Sequence, residues 1–158
     1  MAVKIAKAMG AEVVVFSTSP AKEPDAKKLG AKYFVFTKEA QNFASWQGKL
    51  DLIIDTVSAL HDFTPYLSTL KVGGTHVLVG ASPEPNSVGA FALIGGRKKL
   101  AGSLIGGIKE TQEMLDFCAK KKVYADIELI KAEQINEAYE RTIQSKVKYR
   151  FVIDAKSF

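Results

Sequence analysis

One cysteine, Cys118, stands in a chain of 158 residues. A lone thiol excludes an internal disulfide and a cysteine-rich zinc site, and it points to a reducing compartment, the cytosol by default. No apolar run approaches the roughly 20 residues that a membrane span needs. The opening MAVKIAKAM sets Lys4 and Lys7 among apolar residues at helical spacing and lacks the continuous apolar core of a secretory signal. Repeats beyond the alternation of elements, low-complexity segments and a flexible linker are missing as well, and disorder is not the default reading.

What is there is an ordinary folding composition, 47% hydrophobic and 25% charged, enough for one domain with a core. The formal charge of +5 and a pI near 9.2 invite an anionic partner. The lysines are spread along the chain, however, with small clusters only at Arg97-Lys98-Lys99 and Lys120-Lys121-Lys122. That distribution reads as a solvated basic face, and no nucleic-acid partner is expected.

Along the chain, residues 1–9 read as a helix rich in alanine and lysine, closed by Gly10 in the left-handed position that follows helices. A β-branched run at 12–16 reads as a strand buried on both faces. A helix over 21–29 closed by Gly30, a strand at 33–36, a strand at 51–56, a helix at 63–70 and a strand at 74–80 continue the alternation. After the proline-rich loop 82–86 come a short helix at 90–94, a strand at 100–105 and an amphipathic helix at 110–121. Strand 124–130, helix 133–143 and strand 149–154 finish it. This rhythm predicts an α/β fold with a mostly parallel, doubly wound sheet.

In such sheets ligands sit beyond the carboxyl ends of the strands. After the first predicted strand stand Ser17, Thr18, Ser19 and then Lys22. Hydroxyls and an ammonium suit a ribose 2′-phosphate, where an acidic residue would suit a 2′-hydroxyl. The competing reading is a turn that caps the next helix. Later strands are followed by Asp55-Thr-Val-Ser58, Gly80-Ala-Ser82 and Ser103-Leu-Ile-Gly-Gly107, small residues that let a flat ring approach the backbone. Gly73-Gly74 and Gly95-Gly96 read as turns. His61 follows a strand, where it can approach a ligand; His76 lies within one and reads as structural, and Cys118 reads as a core thiol. The sequence G-x-G-x-x-G, which ordinarily lies between first strand and first helix and cradles a pyrophosphate, occurs nowhere, and no strand precedes the first helix.

The words MAVKIAKAMGAEV, STSPAK, KLGA, LDLIIDTVSALH, LVGA, GSLIGGIKETQEMLDF and YRFVID together resemble the cinnamyl alcohol dehydrogenase branch of the zinc-containing medium-chain dehydrogenases. The resemblance runs in family order from Met1 to Asp154. It implies a Rossmann-like sheet that lacks its first strand and glycine-rich loop, because Met1 coincides with an internal methionine of longer relatives. It further implies that residues 1–121 form an incomplete NADP-binding domain and that 122–158 form a segment returning to the catalytic domain. By the same resemblance, Ser17, Thr18, Ser19 and Lys22 surround the adenosine 2′-phosphate, and Thr56 and Val57 border the cofactor. Gly80, Ala81, Ser103, Ile105 and Gly106 adjoin the nicotinamide, and Arg150 reaches cofactor phosphate. The relatives carry zinc, but none of their ligands is found in this sequence.

The implied function is the NADP(H)-binding portion of an alcohol dehydrogenase or aldehyde reductase, with little catalysis alone. The alternatives are a non-enzymatic nucleotide-binding or protein-interaction module, and a truncated product without independent function. In the strand order 3-2-1-4-5-6 the missing strand is central, so its two neighbours are expected to keep unpaired edges unless the sheet closes up, another chain donates a strand, or the chain is a fragment. The resemblance also implies a homodimer through the edge strand 100–105; the competing reading is an edge protected by Arg97, Lys98 and Lys99.

Overall fold

The computed structural model describes residues 1–144 and 146–158. They divide into two compact units, Ala2–Met114 and Leu115–Phe158, the latter joined by Met1.

The first unit opens with helix α1, Ala2–Ala8, which ends where Gly10 takes a φ of +92°. Strand β1, Val14–Ser17, follows, then a 3-10 turn at Pro20–Lys22 and helix α2, Glu23–Leu29. The predicted helix 21–29 is thus broken in two, since Pro24 in the first turn of α2 has no N–H to continue the earlier hydrogen bonds. Glu23 and Asp25 lie in the first turn of α2 and Lys27 and Lys28 in its last, each matching the helix dipole. Gly30, at φ +115°, closes it as expected.

Strand β2, Tyr33–Phe36, matches its predicted span. A four-residue helix α3, Gln41–Ala44, too short for a hydrophobic period to reveal, is anchored by Asn42 Nδ2 donating to the Phe36 carbonyl at 2.8 Å. Strand β3, Leu50–Asp55, helix α4, Thr64–Thr69, strand β4, Leu70–Leu78, helix α5, Ala90–Ile94, and strand β5, Lys99–Gly102, complete the alternation. Strand β4 starts earlier than expected. Its register against β3 shifts between Leu50 and Leu52, and Gly73 absorbs the irregularity at φ +78°.

All strand pairs are parallel. β1 pairs with β2, and β3, β4 and β5 form a second sheet in that order. Among the described residues β1 and β3 share no ladder, which leaves each with one unpaired edge. The core of the unit is Phe63, Leu67 and Leu70, buried against Leu50, Ile53, Leu78, Val88, Ala92 and Leu93. Aromatic rings connect the two sheets: Phe16 of β1 stacks on Phe43 at 5.6 Å and meets Tyr66 of α4 edge-on at 5.8 Å. Such pairs are worth about 0.5–1.5 kcal/mol each beyond their burial.

Helix α6, Ile108–Lys121, runs across the unit boundary, and Cys118 on it is buried. The second unit holds strand β6, Glu128–Ile130, helix α7, Ile135–Ile143, and strand β7, Phe151–Ile153, with β6 and β7 parallel. Both strands are shorter than the apolar patterns at 124–130 and 149–154 suggest. Here the Arg141 guanidinium pairs with Glu128 and lies 4.7 Å from the centre of the Phe151 ring. The Lys148 amide, then Arg141, hold the Glu128 carboxyl below its ordinary range. Among the described residues no helix is long and apolar enough to cross a membrane.

Candidate functional site at the strand ends

Register brings the candidate residues together. Asp55 lies opposite Leu78, and Leu78 opposite Gly102, so β3, β4 and β5 end level. The segments that follow, from Thr56, Val79 and Ser103, therefore leave the same edge. In the companion sheet Ser17 pairs with Phe36, and β1 and β2 likewise end together.

Beyond β1, the Ser17 hydroxyl oxygen accepts the Ser19 amide at 3.2 Å, a short hydroxyl turn that leaves the Ser17 O–H free to donate. Ser19 precedes the 3-10 turn but makes no side-chain cap. The turn reading of Ser-Thr-Ser-Pro thus holds and the capping one does not. Thr18 and Lys22 are exposed, and among the described residues the Lys22 ammonium has no ion-pair partner. Hydroxyls and a free ammonium with no carboxylate from Ser17 to Lys22 form a donor set that fits a phosphate monoester.

Asp55, the last residue of β3, organises the next part of the edge and is buried. Its backbone carbonyl accepts the Val79 amide at 2.9 Å and the Gly80 amide at 3.0 Å. One carboxylate oxygen, Oδ1, accepts the Val57 amide at 2.9 Å. The other, Oδ2, lies 2.9 Å from His61 Nε2 and 3.1 Å from His76 Nε2. One residue thereby holds both the Thr56–Val57 turn and the exit of β4. The sequence reading had named this turn and had separated the two histidines by role, but missed their common partner. The available signal was an acid at a strand end with a histidine six positions later.

Burial is the larger effect on His76 and pushes its imidazole below the ordinary 6.5, against the pull of Asp55. Burial also raises the Tyr66 phenol, whereas the Thr64 hydrogen bonds lower the Asp62 carboxyl. His61 packs edge-on against Phe63 at 4.9 Å and Tyr66 at 5.7 Å, so it belongs to the aromatic cluster as well as to the strand-end edge.

At Gly80 two backbones approach closely. A Cβ there would stand 2.4 Å from the Val57 carbonyl oxygen and 2.8 Å from the Thr56 carbonyl carbon. Ala81 beside it is exposed. The Ser103 amide donates to the Leu78 carbonyl at 3.0 Å, which ties the third segment to β4. Ile105 and Gly106 follow in an exposed stretch, and Glu110 folds back so that its carboxylate accepts the Gly107 amide at 2.8 Å. Arg150 belongs to the Leu115–Phe158 unit, where its carbonyl accepts the Glu128 amide and its side chain is exposed. Among the described residues no three His, Cys, Asp or Glu side chains converge so as to hold a metal ion, so no step is assigned to zinc on this chain.

Residues 1–120 match the family model described as zinc-binding dehydrogenase. A mannitol dehydrogenase of Petroselinum crispum is 52% identical over 155 residues, which cover 98% of this chain and 46% of that protein. Among solved structures, a cinnamyl alcohol dehydrogenase of Sorghum bicolor superposes with a TM-score of 0.92 at 44% identity, covering 98% of this chain and 44% of the other. The structure of CAD from Helicobacter pylori complexed with NADP(H) gives 0.85 at 42% identity, over all of this chain and 45% of the other. The chain spans less than half the length of these relatives. With the family model matched over residues 1–120, the chain is a member of the zinc-binding dehydrogenase family.

Proposed function

We propose that this chain is the NADP(H)-binding portion of an alcohol dehydrogenase or aldehyde reductase similar to cinnamyl alcohol dehydrogenase, with little or no turnover alone. The observation that carries the reading is the level ending of the parallel strands, which gathers Thr56–Val57, Gly80–Ala81 and Ser103–Gly106 on one edge while Ser17–Lys22 offers phosphate donors beyond β1. In this reading Ser17, Thr18, Ser19 and Lys22 hold the 2′-phosphate, and the other segments lie along the nicotinamide half. When bound, the cofactor supplies hydride transfer. The protein's residues supply binding and orientation. Arg150 is assigned to a cofactor phosphate by resemblance alone.

Residues 122–158 are assigned to the segment that, in the family, returns to the catalytic domain. The exposed strand β5 is the proposed dimer edge, with Leu104 and Ile105 exposed just beyond it. A cytosolic location suits the single buried thiol.

Calorimetric titration of the purified chain with NADPH and with NADH, circular dichroism confirming the fold, tests the reading. Preferential NADPH binding supports it. A folded chain that binds neither at millimolar concentration sinks it in favour of a partner-binding module, the reading to which the two unpaired edges of β1 and β3 also lend themselves.

A further inference from the structure

His61 bridges the loop that follows β3. Its Nδ1 stands 2.8 Å from the Ala59 carbonyl oxygen and its Nε2 2.9 Å from Asp55 Oδ2. A carbonyl only accepts, and so does an ionised carboxylate, so both ring nitrogens donate only if the ring carries two protons. His76 meets the same oxygen differently. Its Nε2 donates to Asp55 Oδ2, whereas its Nδ1 is buried without a hydrogen-bond partner, the pattern of a neutral ring. One carboxylate, one imidazolium and one neutral imidazole give a cluster without net charge, which suits a site where Asp55 is 7% and His76 0% exposed.

We propose that His61 is a positioning residue: its doubly protonated ring ties the Ala59 carbonyl to the Asp55 carboxylate and so fixes the Thr56–Val57 backbone for the cofactor. The inference rests on the cofactor-binding reading above. The chain of contacts is short, because the carboxylate that His61 grips at Oδ2 holds the Val57 amide at Oδ1. The titratable groups facing His61 are Asp55 on β3, His76 on β4, Tyr66 on α4 and the adjacent Asp62. A ring with a single proton has one N–H donor. The turn then loses either the Ala59 or the Asp55 tie, and NADPH binding weakens.

The test combines imidazole nitrogen NMR from pH 5.5 to 8.5, amide exchange at Val57 and NADPH calorimetry, on the full chain and its His61→Phe and His61→Gln variants. The expected result is two protonated nitrogens on His61 at the acid end and one, Nε2, on His76. Val57 exchange and the NADPH dissociation constant should each rise roughly ten- to a hundredfold in His61→Phe, the span expected for a lost charge-assisted hydrogen bond. His61→Gln, which keeps one donor, should recover part of both. A single proton on His61 throughout, or wild-type Val57 exchange in His61→Phe, overturns the clamp. Unchanged NADPH affinity in that variant overturns its positioning role. A parent chain that binds no NADPH, yet shows His61-dependent Val57 exchange, instead overturns the cofactor reading and leaves the clamp standing.

Discussion

A methyl group on Gly80 would collide with the Val57 carbonyl, at 2.4 Å between Cβ and oxygen. The obstacle is backbone on both sides, so a rotamer change cannot relieve it. Gly80→Ala is expected to destabilise the chain by about 1–3 kcal/mol through overpacking and to weaken NADPH binding by displacing the Thr56–Val57 turn. Gly89→Ala, with nothing within 4 Å of its Cβ, is the control. Urea unfolding of both variants decides, and equal midpoints would show that the two backbones separate without cost.

At the other end of the site, Lys22 offers an exposed ammonium without a carboxylate between it and Ser17. Lys22→Glu should reduce NADPH affinity about tenfold or more, roughly 1.4 kcal/mol per decade, while NADH affinity falls less. Titration calorimetry with both cofactors measures the ratio. An equal loss for both would place Lys22 away from the 2′-phosphate.

Because burial depresses the imidazole of His76 below 6.5, the unfolded chain takes up a proton as pH falls through that value before the folded one does. Stability is therefore fully present above about 6.5 and is lost as pH falls towards the folded value. The urea midpoint should drop between pH 7.5 and 5.5, and His76→Asn should reduce the drop. An identical slope in the variant would exonerate His76.

Among the described residues strand β5 pairs with β4 alone, and all four of its residues are exposed. If it is a dimer edge, Ala101→Pro removes an amide and blocks strand pairing on whichever side needs it; Leu104→Lys, beyond the strand, spares the ladder with β4. Sedimentation should show a dimer for the parent and a monomer for Leu104→Lys at micromolar concentration. A parent that is already monomeric refutes this assignment.

Much of the local structure was legible because local chemistry dictates it. Gly10 and Gly30 end helices since a left-handed residue without Cβ is cheap there, and the apolar run Tyr33–Phe36 forms the strand its residue types suggest. Pro24 broke the expected helix for a reason also present in the chain, though propensity alone underweighted it. The words STSPAK and LDLIIDTVSALH mark strand ends, and β1 and β3 do end within them, at Ser17 and Asp55.

What the tertiary structure alone decided is long in sequence and short in space. His76 finds Asp55 across 21 positions, and Gly80 meets Val57, only because β3 and β4 pair in a register interrupted by a bulge that no local pattern encodes. A one-residue slip would turn His76 to the opposite face and break the Asp55 cluster. Residue types, helix ends and strand identities were thus written locally. The convergence of one carboxylate with two imidazoles and a backbone turn came from strand register, a property of two segments at once.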